Sequence, residues 1–155
     1  MDRKVLIIDD EPQNVEALMD YLDRCNVPHD YSQTLVGAAR RLRWSLSEGR
    51  LYDLVISDNH FKEEVEGIPN FNGSDLVKIL MGFDLDEEQT HFASVHFGQL
   101  YDYLVETYSD RVMIFSGSAG SEPELEGITA IQKVPDADGE CCEAGVIRAM
   151  RAKTC

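Results

Sequence analysis

The chain has 155 residues, of which 43% are hydrophobic and 28% are charged, an ordinary composition for one soluble globular domain. Its formal net charge at pH 7 is −15, which argues against nucleic acid as a partner, because phosphate binding requires a basic surface. The apolar run Val5–Ile8 is too short for a secretory signal, and no segment approaches the roughly 18 apolar residues of a membrane span.

The first elements along the chain are a strand, an acidic turn and a helix. Val5–Ile8 is continuously apolar, which predicts a strand buried on both faces. It runs directly into Asp9, Asp10 and Glu11, and Pro12 then suits the first turn of a helix. Apolar residues follow at helical spacing and predict one buried helix face: Val15, Leu18, Met19, Leu22 and Cys25.

The next segments continue the alternation of strands and helices. "VPHDYSQ" is at most a weak strand, and "TLVGAARRLRWSLSEG" predicts a helix that stops at Gly49. Three further strands are predicted: "YDLVISD" ends at Asp58, "RVMIFSG" places Ser116 at its end, and "ITAIQK" ends at Lys133. The tail "GECCEAGVIRAMRAK" predicts a closing helix. This alternation implies a parallel sheet with helices on both faces.

The segment between Asp58 and Ser116 is longer than one loop and one helix require. "SDLVKIL" predicts a helix after Gly73, and a second helical pattern runs from about Asp86 to Asp110. We therefore predict a single domain over residues 1–155, with an elaboration at about 81–110 that contains one inserted helix. This helix could form a homodimer, dock a partner or cover the sheet.

Polar side chains stand at the ends of the predicted strands. They comprise the carboxylates of Asp9, Asp10 and Asp58, the hydroxyl of Ser116 and the ammonium of Lys133. In open parallel sheets ligands bind outside the carboxyl ends of the strands, which brings these groups to one edge. Carboxylate oxygens suit Mg²⁺, and a lysine suits phosphate. The set therefore predicts phosphoryl transfer to an aspartate carboxylate.

The order of these residues resembles the receiver domain of two-component response regulators, the CheY-like family. "IPNFNGSDLV" also resembles the loop that leads into the third helix of that family. The resemblance spans nearly the whole chain. It implies a flavodoxin-like, doubly wound α/β fold in which a five-stranded parallel sheet of order 2-1-3-4-5 carries helices on both faces, here with an extra inserted helix.

The resemblance also implies a role for each site residue. Asp58 would be the phosphoacceptor, while Ser116 and Lys133 match the serine or threonine and the lysine of the family. The implied Mg²⁺ ligands are the carboxylates of Asp9, Asp10 and Asp58 and the backbone carbonyl of His60. The His60 side chain would face the attacking water, so we hypothesise that it influences the lifetime of the aspartyl phosphate.

The function that these residues predict is that of a stand-alone receiver. A histidine kinase or phosphotransfer protein would phosphorylate Asp58 in a Mg²⁺-dependent reaction, and altered protein contacts would pass the signal to a downstream protein. The chain would not be an enzyme beyond its own phosphotransfer and dephosphorylation. Cysteines without metal or disulfide spacing, such as Cys141 and Cys142, indicate free thiols in a reducing cytoplasm.

The sequence leaves two alternative functions open. Ala130 stands where the family often has an aromatic residue that moves on phosphorylation, which favours a degenerate, receiver-like interaction module that does not depend on phosphorylation. A Mg²⁺-dependent phosphatase with an aspartate nucleophile is weaker. Such enzymes generally carry an Asp-x-Asp motif, whereas Asp9 and Asp10 are adjacent.

Overall fold

The structure, a computed structural model, describes residues 4–61, 65, 71–116 and 130–132. Its strands form one parallel sheet in the order β2-β1-β3-β4-β5. The strands are β1 (Val5–Ile8), β2 (His29–Ser32), β3 (Leu54–Ser57), β4 (Val112–Ser116) and β5 (Ala130–Gln132). The parallel sheet and its predicted order are confirmed.

Helices connect the first four strands. They are α1 (Glu16–Arg24), α2 (Leu35–Glu48), α3 (Gly73–Met81), α4 (Glu87–His96) and α5 (Tyr101–Tyr108). A 3-10 turn at Pro12–Asn14 precedes α1, and α2 ends where Gly49 adopts a left-handed conformation. Among the described residues, no helix combines the length and apolar character that crossing a membrane requires. The predicted closing helix lies outside the described residues.

Side chains that alternate along the strands build two separate cores. One core contains strand residues that pack with α1: Val5, Ile7, Leu54, Ile56, Met113 and Phe115. The other contains strand residues that pack with α2 and α3: Leu6, Ile8, Val55, Val112 and Ile114. Both faces of the sheet are therefore covered, which explains why its central strands are continuously apolar in the sequence.

The predicted insertion between α3 and β4 is present, but it consists of two helices rather than the one predicted over residues 86–110. A 3-10 turn at Gly98–Leu100 separates α4 from α5, and Gly98 has a φ of 52°. Apolar residues nevertheless recur every three or four positions through the turn, at Ala93, Phe97, Leu100, Leu104 and Tyr108, and all of these except Leu100 are buried. The pattern alone therefore concealed the break.

The inserted pair, α4 and α5, packs on α2 and α3. The Phe92 ring of α4 stacks on Phe71, which precedes α3, with 4.6 Å between ring centroids. Both rings belong to the core that α2 and α3 share with the sheet. The insertion therefore enlarges one face of the domain and lies against the helix that begins beside the candidate site.

Tyr108 anchors the end of α5 to two distant parts of the chain. Its hydroxyl lies 2.8 Å from the Ser45 hydroxyl and accepts a 3.0 Å hydrogen bond from the Tyr52 backbone N–H. Since Ser45 donates to the Leu42 carbonyl, Tyr108 is the donor to Ser45. Burial raises the pKa of Tyr108, so the hydroxyl keeps its proton at neutral pH.

We expect Tyr108→Phe to lower the free energy of unfolding by about 1–3 kcal/mol, because it leaves buried polar groups on Ser45 and Tyr52 without this hydroxyl. Urea unfolding measures the change. Tyr103→Phe in the same helix is the matched control, since Tyr103 is 50% exposed and should change stability little. Equal losses in the two variants would contradict the anchoring role.

Candidate functional site

Strand pairing brings the ends of β1 and β3 together. Ile8 pairs with Ser57, so the residues that follow, Asp9 and Asp58, leave the sheet side by side. The Asp58 backbone N–H donates a 2.8 Å hydrogen bond to the Ile8 carbonyl, and Asp9 N–H donates to Ser32 on β2. Both aspartates are thereby held at the carboxyl edge of the sheet, where ligands bind in open parallel sheets.

Three carboxylates meet at this edge. Asp9, Asp10 and Asp58 each offer an oxygen, and these oxygens all lie within 4.8 Å of one another. Asp9 is fully buried and Asp58 is 7% exposed, whereas Asp10 is half-buried. Like charges at this separation repel one another strongly where water is excluded. A set of close carboxylate oxygens is the donor chemistry that Mg²⁺ prefers, so the residues fit a divalent cation.

Neighbouring groups hold the acidic turn in place. The Glu11 backbone N–H donates to Asp9 Oδ1 at 2.9 Å, and the Tyr31 hydroxyl donates to the Asp9 carbonyl at 2.5 Å. Gln33 donates to the Asp10 carbonyl at 3.2 Å. Burial raises the pKa of Tyr31, and the negative charges of Asp9 and Asp10 raise it further. Tyr31 therefore remains a hydrogen-bond donor to the turn at neutral pH.

The residue after Asp58, Asn59, is held at the start of α3 by two hydrogen bonds, which together form the clamp on Asn59. Asn59 is buried; its carbonyl accepts from Gly73 N–H at 2.8 Å and its side-chain oxygen accepts from Ser74 N–H at 3.1 Å. Ser57 Oγ donates to the Asp58 carbonyl at 2.9 Å. No periodicity or motif in the sequence marks Asn59, so its role could not be predicted. Gly73, by contrast, could be placed at the start of a helix, because it lies between Asn72 and residues with helical spacing.

The other predicted site residues are only partly placed. His60 is exposed and follows the clamped Asn59, and its two predicted roles remain predictions. Ser116 ends β4 in register with Gln132, so its backbone lies at the same sheet edge as Asp58. Lys133 lies outside the described residues. Ala130 pairs with Ile114 at the start of β5, and the consequence of its small side chain also remains a prediction.

Comparisons with known proteins identify the fold. No family model matches the chain, and no curated protein matches it. A receiver domain protein from Clostridium thermocellum is 16% identical, with a TM-score of 0.56 over 97% of this chain and 96% of that one. A Francisella response regulator receiver domain is 15% identical, with a TM-score of 0.55 over 98% and 97%. The non-phosphorylated HemR receiver domain from Leptospira biflexa is 17% identical, with a TM-score of 0.54 over 99% and 96%. The chain therefore has the fold of response regulator receiver domains.

Proposed function

We propose that this chain is a phosphoryl-accepting receiver domain, in which Asp58 is phosphorylated by a histidine kinase or phosphotransfer protein in a Mg²⁺-dependent reaction. The observation that supports this proposal is the cluster formed by the carboxylates of Asp9, Asp10 and Asp58 within a receiver fold. If Asp9 and Asp10 were only part of a solvated turn, there would be no reason for the Asp58 carboxylate, at the end of a second strand, to lie within 4.8 Å of theirs.

The proposed reaction transfers one phosphoryl group to a carboxylate. An Asp58 oxygen attacks the phosphorus of a phosphohistidine, so that a P–O bond forms and the P–N bond breaks, leaving the imidazole. A Mg²⁺ ion held by Asp9, Asp10 and Asp58 would supply charge neutralisation for the carboxylates and the phosphoryl oxygens. The clamp on Asn59 keeps the acceptor oriented.

The chemistry assigns complementary roles to the remaining site residues. Ser116 would donate its hydroxyl hydrogen to a phosphoryl oxygen, and Lys133 would place its ammonium beside another. The product is a signalling state, and its readout is a changed set of protein contacts. We propose that the partners are the phosphoryl donor and a downstream protein, and that the chain turns over no other substrate.

The experiment is phosphorylation by acetyl phosphate in the presence of Mg²⁺, followed by intact-mass measurement. We expect the wild-type chain to gain one phosphoryl group, and we expect Asp58→Asn or removal of Mg²⁺ by EDTA to abolish the gain. Asp84→Asn is the matched control, because Asp84 is exposed and lies between α3 and α4.

Three outcomes would count against the proposal. A wild-type chain that gains no mass would favour the interaction module that does not depend on phosphorylation. A gain that persists in Asp58→Asn would place the acceptor elsewhere. Release of phosphate from a phosphate ester over many turnovers, lost in Asp58→Asn, would instead identify a phosphatase.

A further inference from the structure

A buried glutamine joins the insertion to α3. Gln89, in the first turn of α4, is 5% exposed, and its Nε2 donates a 2.8 Å hydrogen bond to Asp75 Oδ1. Its Oε1 accepts from the Asp86 backbone N–H at 3.0 Å, and its own N–H donates to Asp86 Oδ1 at 2.8 Å. The amide therefore has one donor facing a carboxylate and one acceptor facing an N–H. Its orientation is set by both partners.

Asp75 continues the connection toward the acceptor loop. Its second oxygen, Oδ2, accepts a 2.8 Å hydrogen bond from the Asn72 backbone N–H. The Asn72 side-chain oxygen accepts from the Phe61 backbone N–H at 3.3 Å, and Phe61 lies three residues after Asp58. Asp75 thus binds Gln89 of the insertion with one oxygen and Asn72 with the other, and Asn72 in turn binds the loop that follows Asp58.

We propose that Gln89 is a positioning residue for the Asp58 site, acting through Asp75 and Asn72 on the loop that follows the acceptor. This inference rests on the proposed function and deepens it, because it makes α4 part of the regulation of that site. The hydrogen bond between Gln89 and the Asp75 carboxylate is a strong one, since one partner is charged. Any coupling is reciprocal, so Mg²⁺ or a phosphoryl group at Asp58 also changes how firmly α4 is held.

The decisive experiment exchanges the two side-chain chemistries. Gln89→Glu sets two carboxylates against each other and should weaken both Mg²⁺ binding and the rate of Asp58 phosphorylation by acetyl phosphate, each by about 2- to 30-fold. Adding Asp75→Asn restores the contact, because the introduced amide can donate to the introduced carboxylate while its oxygen still accepts from the Asn72 N–H. We expect the exchanged pair to recover to near wild-type values, and Asp75→Asn alone completes the double-mutant cycle.

A second variant and a control separate positioning from stability. Gln89→Leu removes the hydrogen bond without adding charge and serves if Gln89→Glu does not fold. Ala93→Gly weakens α4 through its helix propensity at a buried position that is not part of the connection. Mg²⁺ affinity, measured by calorimetry on folded protein, is the readout that does not depend on phosphorylation.

Each outcome bears on the inference. An unchanged Mg²⁺ affinity in both Gln89 variants, an equal loss in Ala93→Gly, or no recovery in a folded exchanged pair would each overturn it. In all three cases the wild-type chain still binds Mg²⁺ and accepts a phosphoryl group, so only this inference fails. If the wild-type chain does neither, the proposed function fails and this inference falls with it.

Discussion

Replacing Gly73 with alanine is expected to lower the free energy of unfolding by at least about 3 kcal/mol, in the upper range for overpacked positions. A Cβ atom on Gly73 would lie 1.7 Å from the Asp58 carbonyl oxygen and 2.9 Å from its carbonyl carbon. Ser57 Oγ would be 2.7 Å away. Because the main obstacle is backbone rather than a flexible side chain, relief requires moving α3 away from Asp58 and the end of β3.

The sign of this effect distinguishes contact from helix propensity. Gly73 is the first residue of α3, and alanine is ordinarily better than glycine in a helix by about 0.5–1 kcal/mol. A neutral or stabilising result would therefore mean that α3 does not approach Asp58 as closely as the structure has it. Urea unfolding measures stability, and acetyl phosphate labelling of any folded Gly73→Ala tests whether the proposed phosphorylation of Asp58 tolerates that displacement.

Gly49→Ala is the matched control for this substitution. Gly49 has a φ of 67°, and an added Cβ atom would meet nothing within 4 Å. Its expected loss is about 1–2 kcal/mol, the cost of a left-handed conformation without any overlap. Phosphorylation of Gly49→Ala should equal that of the wild type, because Gly49 caps α2 and takes no part in the clamp on Asn59.

The second large effect concerns the repulsion within the acidic cluster. Two unit charges 4 Å apart interact by about 4 kcal/mol at the effective dielectric constant typical near protein surfaces, and the oxygens of Asp9, Asp10 and Asp58 lie within 4.8 Å. We expect Mg²⁺ to raise the stability of the wild-type chain by about 2.7 kcal/mol when its concentration is roughly 100 times Kd. Thermal unfolding at increasing Mg²⁺ measures this rise.

Asp9→Asn should raise the stability of the chain without Mg²⁺ and remove most of the stabilisation by Mg²⁺. The asparagine oxygen can still accept the hydrogen bond from Glu11 N–H, while one of the three charges is removed. We therefore expect the variant to be more stable than the wild type without Mg²⁺, on the order of 1 kcal/mol or more, and to respond little to Mg²⁺.

Controls for the cluster experiment separate a bound cation from bulk salt. NaCl at matched ionic strength should not reproduce the Mg²⁺ effect, because screening acts weakly on buried charges. Asp84→Asn, an exposed substitution outside the cluster, should respond to Mg²⁺ as the wild type does. An Asp9→Asn variant that is less stable than the wild type without Mg²⁺ and retains the full response would contradict the cation site.

Several features could be predicted from the sequence because local patterns determine them. The apolar runs that became β1, β3 and β4 are buried on both faces, and such runs require a covered parallel sheet. Once the sheet is parallel, its carboxyl edge collects the strand-end residues, so Asp9 and Asp58 could be placed together from positions far apart in the chain. Helix α2 was likewise marked at its end by Gly49.

Other features depended on contacts that leave no local pattern. The sequence predicted at most a weak strand at β2, because β2 lies at the edge of the sheet and contains several polar residues. Its conformation depends on pairing with β1. The insertion kept one apolar spacing across two helices, so Gly98 alone marked the turn. Short-range periodicity reports which side of an element is buried, but not what it is buried against.

The sequence by itself therefore determined the acidic turn after β1 and its neighbour β3. The tertiary structure decided the contacts that α3 and α4 make around them. The overlap that excludes a side chain at Gly73 exists only because α3 begins against the Asp58 carbonyl. The bond between Gln89 and Asp75 exists only because α4 folds back onto α3. Both depend on the close packing of distant segments, and that packing is a property of the assembled core rather than of any stretch of sequence.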